Sequence, residues 1–224
     1  MSGVRVSDGS PKHLTTFIVV RCFFEKKRIE KLGVLILVKN ITMIGLFAAL
    51  TSIGAFIRIP VQPIPFTLQM LFVLLAGVLL APKTALMSQI VYVAVGLMGA
   101  PIFAKGYGGI VYVLEPTFGY LIGFVICAFV TALIIRKIMK PTFIKYFFTT
   151  LIGLIIIFIP GLTYMFVLMN YVYRVNPVGL NLIYLQGLLI NGFVIFLPSG
   201  ILFCGIASII ALKVRKFTFD EKLN

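Results

Sequence analysis

Apolar residues along this chain gather into six runs, at 41–57, 66–81, 84–99, 117–135, 146–169 and about 182–212, and every charged residue beyond Val38 falls outside them. Even the shortest run, wound as an α-helix, covers about 24 Å, which flanking residues extend toward the ~30 Å of a bilayer's hydrocarbon. The pattern predicts an all-α integral membrane protein with six transmembrane helices in a compact bundle. Six crossings return both termini to one side. Lys39, Lys83, the cluster Arg136, Lys137, Lys140 and Lys145, and Lys213, Arg215 and Lys216 then share one face, against Arg58, Lys105 and Arg174 on the other. The excess of positive charge assigns the first face, and both termini, to the cytoplasm.

The joints on the other face are unusual. The first reads Ile59-Pro60-Val61-Gln62-Pro63-Ile64-Pro65-Phe66, whose prolines exclude helix although the segment is otherwise apolar, so it should lie against protein or lip a cavity. The third loop contains Lys105-Gly106-Tyr107-Gly108-Gly109, a run that bends freely and brings backbone N–H groups close to a ligand. Together they read as a proline-rich first outer loop and a glycine-rich third loop that form a lid; ordinary connectors are the alternative. Residues 1–37 differ from the remainder of the chain: they hold three of the six acidic residues, and their apolar patch from Phe17 to Phe24 is too short to span and is broken by Arg21. Either this is a basic cytoplasmic tail, or it is an extension foreign to the native protein, with translation starting at Val38 from a GTG codon. The second reading is preferred, because Val38-Lys39-Asn40 then makes a short basic entry to the first span. The domains are thus 1–37, an extension, and 38–224, the membrane domain.

Composition agrees with a bilayer as solvent: 61% of the 224 residues are apolar, 12% are charged, and the mean hydropathy is +1.13. The net charge of +14 does not indicate nucleic acid, since the basic residues sit at joints and ends with no basic stripe interleaved with aromatics. Cys22, Cys127 and Cys204 lack the spacing of a metal site or disulfide framework, and His13, the one histidine, lies in the polar tail. No metal, cofactor or ATP-binding Walker loop is expected.

Polar residues inside apolar runs are the remaining candidates. Glu115, the one acid between Lys31 and Phe219, precedes Pro116 at the outer entrance to the fourth span. Near lipid a carboxylate must be paired or solvated, so it reads either as a ligand contact or as an ion pair with Lys105 or Arg58. Gln69, Gln89, Gln186 and Asn191, with Tyr92, Tyr120 and Tyr164, are either hydrogen-bonding glue between helices or the lining of a polar interior. Pro160 and Pro198 are expected to interrupt the fifth and sixth spans. Gly45, Ala48, Ala49, Ser52 and Ala55 recur at helical spacing on the first helix, a small-residue face suited to close packing. Nucleophile and base sets for an enzyme cannot be assembled.

The order Pro63-Ile64-Pro65-Phe66-Thr67-Leu68-Gln69, Leu75-Ala76-Gly77, Ser88-Gln89-Ile90-Val91-Tyr92, Gly96-Leu97-Met98-Gly99-Ala100-Pro101 and Pro116-Thr117-Phe118-Gly119-Tyr120 resembles the BioY family, the membrane-embedded substrate-binding S components of energy-coupling-factor biotin transporters. The resemblance covers 39 to the C-terminus. It implies a non-enzymatic subunit of a prokaryotic cell membrane that captures biotin beneath the first and third loops. It also implies docking onto a transmembrane coupling subunit driven by two ATPase subunits. Carried onto this chain, it suggests Gln69, Gln89, Tyr92, Gly108, Glu115, Thr117, Tyr120, Tyr164, Asn191 and Gly200 as substrate contacts and Gly45, Ala48 and Ser52 as the docking face. The family's sixth helix carries Pro-Gly-Asp and a following Lys, where this chain has Pro198-Ser199-Gly200 and then Phe203. That departure leaves dethiobiotin, lipoate or another vitamin as alternative ligands, and Glu115 as the expected acceptor for a ureido N–H. A structural or assembly protein of the membrane is the alternative outside transport. Starting the chain at Val38 should leave membrane insertion and ligand binding unchanged, checked by membrane fractionation and by titration of the purified truncation; lost binding would refute the reading of the first 37 residues.

Overall fold

The structure is a computed structural model and describes residues 11–59, 66–138, 142–172, 187, 190 and 192–220. The chain divides into two compact units, Met1–Thr42 and Met43–Asn224. Helix α1, Pro11–Phe56, starts on a proline, which the first helical turn accepts, and meets no other proline before Pro60. It therefore runs through the boundary expected near Val38 without a break. The second unit holds the end of α1 and five further helices: α2 (Gln69–Leu79), α3 (Pro82–Leu97), α4 (Phe118–Lys137), α5 (Phe143–Val167) and α6 (Leu197–Asp220).

The six helices form an all-α membrane bundle, with boundaries that depart from the apolar runs for identifiable reasons. Residues 66–67 pair antiparallel with 58–59, Arg58 opposite Thr67 and Ile59 opposite Phe66, so the two ends of the first outer loop are held together and α2 begins only at Gln69. Among the described residues four helices are long and apolar enough to cross a membrane, and α2 is shorter. Pro82 opens α3, where its missing N–H costs nothing. Pro160 does not end α5, which continues to Val167 and passes into a π-helical turn, Leu168–Val172. The last apolar run is not one helix: a 3₁₀ turn, Val194–Phe196, leads into α6, and Pro198 lies in the first turn, where a proline is tolerated.

Without a hydrophobic force between helices in lipid, tight packing has to hold the bundle, and glycine supplies it. A Cβ on Gly123 of α4 would lie 2.6 Å from the carbonyl oxygen of Ile157 on α5, and one on Gly119 2.6 Å from that of Pro160. Gly77 of α2 faces the Thr131 side chain of α4 in the same way. The core between them is Val73, Leu74, Ala76, Cys127, Ala128, Ile157, Cys204 and Ala207, all buried. Buried hydroxyls do not stay unpaired: Thr131 donates to the Cys127 carbonyl at 2.6 Å, and Thr150 to that of Phe147 at 2.9 Å. Towards its C-terminal end α1 meets the bundle through Gly54, whose Cβ would sit 2.9 Å from the Gln69 backbone nitrogen.

Gly123→Ala should therefore destabilise the detergent-solubilised protein by about 1–3 kcal/mol, because a backbone carbonyl cannot rotate away as a side chain can. Gly205→Ala, with open space at its Cβ, is the control and should melt like the parent. Differential scanning fluorimetry distinguishes the two.

Candidate functional site

At the end of the bundle where α2, α4 and α6 begin, a cavity of about 600 Å³, its open mouth included, is edged by Thr67 after the first outer loop and by Ala104 and Tyr112 of the third. Mostly apolar walls with a few convergent polar groups give it the character of a small-molecule site. Its polar lining comes from Thr67 and Gln69 at the start of α2, Tyr112 in the third loop, Thr117 and Tyr120 at the start of α4, and Ser199 at the start of α6. Its apolar walls are Met70, Ala104, Leu121, Phe124, Phe158, Phe196 and Phe203. No charged side chain lines it among the described residues.

The third loop is built to reach over this space. Gly99, Gly106 and Gly109 adopt positive φ, at 108°, 82° and 99°, a backbone that other residues enter only with strain. The reversal lets the Gly109 N–H donate to the Gly96 carbonyl at 2.8 Å and drops Phe103, fully buried, into the notch left by the missing side chain of Gly96. Phe103 packs between Tyr92 and Tyr112, with ring centroids 5.7 and 4.3 Å away. A 3₁₀ turn, Ile110–Leu114, then turns Tyr112 inward, its hydroxyl 3.3 Å from that of Thr117. Burial is the main reason that the Tyr112 phenol titrates above its ordinary value of 10; the nearby Glu115 charge adds to the shift and the Thr117 hydrogen bond opposes it. Tyr112 is neutral at physiological pH.

Arg58 at the start of the first outer loop donates to the carbonyl of Ala104, joining the two loops across the mouth. Gln69 is held from both sides: its amide NH₂ donates to the Tyr92 hydroxyl, and its oxygen accepts from Thr67 at 3.1 Å. One N–H and one lone pair of the amide remain for another partner. Tyr120 donates to the Gly192 carbonyl at 2.8 Å, which leaves its oxygen free to accept. Phe158 meets Tyr120 edge-on at 6.1 Å and Phe193 at 4.9 Å, fixing the aromatic wall.

The structure brings Gln69, Thr117 and Tyr120 together in the cavity and places the other described candidates elsewhere. Tyr92 stands behind Gln69 and also donates to the Ile102 carbonyl at 3.2 Å. Gln89 is fully buried and reaches Thr51 of α1 at 3.4 Å and Ser88 at 3.3 Å, so it ties α1 to α3. Gly108 is needed for packing, since a Cβ there would strike the carbonyl of Ala100. Glu115 takes Lys105 and the Tyr107 hydroxyl, the ion pair anticipated as the alternative, and is not part of the cavity wall. Tyr164 donates to the Val113 carbonyl and braces the 3₁₀ turn. Gly200 faces Leu154 of α5 while its neighbour Ser199 faces the cavity. Asn191 and Gln186 lie outside the described residues. On α1 the small-residue face is divided: Ala48 is buried in the core, Gly45 and Ala49 are exposed, and Ser52 is half-buried with its hydroxyl on the Ala48 carbonyl at 2.9 Å. Ala48 thus packs against the core beside the exposed Gly45 and Ala49. Tyr112, Ser199 and the phenylalanines escaped sequence reasoning, because an aromatic in an apolar run looks the same whether it faces lipid or a cavity.

Residues 25–219 match the family model described as the BioY family. The chain is 49% identical over 131 residues to a probable biotin transporter BioY of Lysinibacillus sphaericus, covering 58% of this chain and 66% of that one. It is 36% identical over 177 residues to the biotin transporter BioY of Thermotoga maritima, covering 79% and 96%. A crystal structure of the S-component for biotin from an ECF-type ABC transporter superposes with a TM-score of 0.67 at 24% identity, over 80% of this chain and 92% of the other, and supports the fold.

Proposed function

This chain belongs to the BioY family, and from that premise we propose that it is the membrane-embedded subunit that captures biotin for uptake, powered by a separate energy-coupling module. The observation that carries the reading is the cavity beside the two loops, aromatic on its walls and fitted with uncharged hydrogen-bonding groups. A cis-fused bicyclic ureido head is bent, with a planar ureido ring that is polar along its edge and an apolar carbon and sulfur surface elsewhere. The walls formed by Phe124, Phe158, Phe196 and Phe203 suit that apolar surface. Gln69 suits the edge: its free lone pair accepts a ureido N–H and its free N–H donates to the ureido carbonyl, while Tyr92 and Thr67 hold the amide in place. Tyr120 and Ser199 supply further acceptors.

Capture and energy use reside in different molecules on this reading. The sequence has no ATP-binding loop, and its first helix carries an exposed strip of Gly45 and Ala49 that suits close approach by a transmembrane coupling subunit, itself driven by two ATPase subunits. Both termini are cytoplasmic and the cavity faces outward in this arrangement, in the cell membrane of a prokaryote. The Arg58 bond to Ala104 joins the loops over the cavity.

Titration of the purified protein with biotin, dethiobiotin and lipoate tests the ligand. Biotin should bind most tightly, and Gln69→Leu should weaken it by about tenfold or more, the loss of a buried hydrogen-bonding pair. Glu115→Gln should change affinity by less than about threefold, because the carboxylate serves Lys105 and Tyr107. A parent that ignores biotin refutes the reading; equal losses in the two variants refute the role of Gln69. With only neutral groups lining the described cavity, affinity should stay flat from about pH 6 to pH 9. For docking, Ala49→Trp should retain biotin binding and abolish ATP-dependent uptake in reconstituted vesicles, whereas Ala48→Trp should lower the melting temperature through overpacking. Uptake by Ala49→Trp at the parent rate would exclude that strip as the coupling surface.

A further inference from the structure

Among the described side chains, the end of the bundle opposite the cavity gathers positive charge with no carboxylate beside it. Ile135 of α4, Tyr146 of α5 and Ala211 of α6 share one small buried cluster with Val78 of α2. Each stands next to, or two positions from, a cation: Arg136 and Lys137 close α4, Lys145 lies in the first turn of α5, and Lys213 follows on α6. All four are exposed. Cations at the end of α4 complement its dipole, but Lys145 sits at the start of α5, where unpaired N–H groups already make the field positive and no acidic residue occupies the first turn. Among the described side chains the one carboxylate is Glu115, about 30 Å away along α4 and already paired with Lys105.

Just toward the bundle's middle, Phe148 on α5 and Leu133 on α4 are exposed, and Phe143 and Ile144, which precede Lys145 on α5, expose further apolar surface. A partner that fits needs an anionic group at the level of Arg136 and Lys145 and hydrocarbon alongside Phe148 and Leu133. We propose that this surface, where α4 ends and α5 begins, binds the phosphate headgroup of an anionic phospholipid, whose acyl chains lie on the adjacent apolar strip. An acidic face of a partner protein would meet the charges but would not need exposed aromatics at hydrocarbon depth.

The test is binding of short-chain phosphatidylglycerol and phosphatidylcholine to the full-length protein in neutral detergent, read by native mass spectrometry. Phosphatidylglycerol should bind at least about tenfold more tightly at 0.1 M salt, with the preference largely lost at 1 M. Glycerol phosphate without acyl chains should not compete at the same concentration. The triple variant Arg136→Gln, Lys137→Gln, Lys145→Gln, with a melting temperature matching the parent, should lose the preference. Should the triple variant fail to fold, Lys145→Gln alone should reduce phosphatidylglycerol binding about fivefold. Equal binding of the two lipids by the parent overturns the proposal, as does competition by glycerol phosphate. A preference that survives the substitutions also overturns it, and would leave these cations to an acidic protein face.

Discussion

Hydrocarbon offers a backbone nothing to hydrogen-bond with, and the architecture is a response to that constraint. Helices satisfy their own polar groups and can face lipid. Anything non-helical has to be covered by protein or to edge a space that contains polar partners. The third loop does both: its Gly109 N–H goes back to the end of α3, its Phe103 fills the Gly96 notch, and its Tyr112 looks into the cavity. The cavity is thus the space enclosed when an apolar, glycine-jointed loop folds over the ends of helices in place of extending into water.

Close packing beneath the loops depends on residues without bulk. Gly119, Gly123 and Gly161 let α4 and α5 approach until backbone or ring atoms touch, and this contact fixes Tyr120 and Phe158 as neighbouring walls. Helix–helix packing and site geometry are therefore one interaction: a helix displaced by one methyl group would move the aromatic wall with it. Gln69 shows the same economy among polar groups. Tyr92 and Thr67 each take part of its amide, so the residue enters the cavity oriented, with one donor and one acceptor left over.

Among the described residues charge is segregated to the two ends and kept out of the cavity. At the loop end, Lys105, Glu115 and Tyr107 satisfy one another and hold the glycine run against the 3₁₀ turn. At the far end Arg136, Lys137, Lys145 and Lys213 are exposed with no carboxylate beside them among the described side chains.

The sequence by itself determined the solvent, the helical class, the number of crossings and the two loops that depart from helix, because each depends on the presence or absence of polar atoms in hydrocarbon. Gln69 and Tyr120 stood out as polar residues inside apolar runs, either glue or cavity lining, and the family resemblance added Thr117. Tertiary structure decided which of the remaining candidates touch the cavity. In a soluble helix the apolar stripe marks the inward face, but here Phe124 facing the cavity and Ile126 facing outward are both apolar, and periodicity carries no information about direction. For that reason Tyr112, Ser199 and four phenylalanines emerged only from packing, and Ala48 proved to be a core residue beside an exposed Ala49. Glu115 is the same case in charge: the sequence left open a ligand contact or a pair with Lys105, and the fold of the glycine run brought the two side chains together.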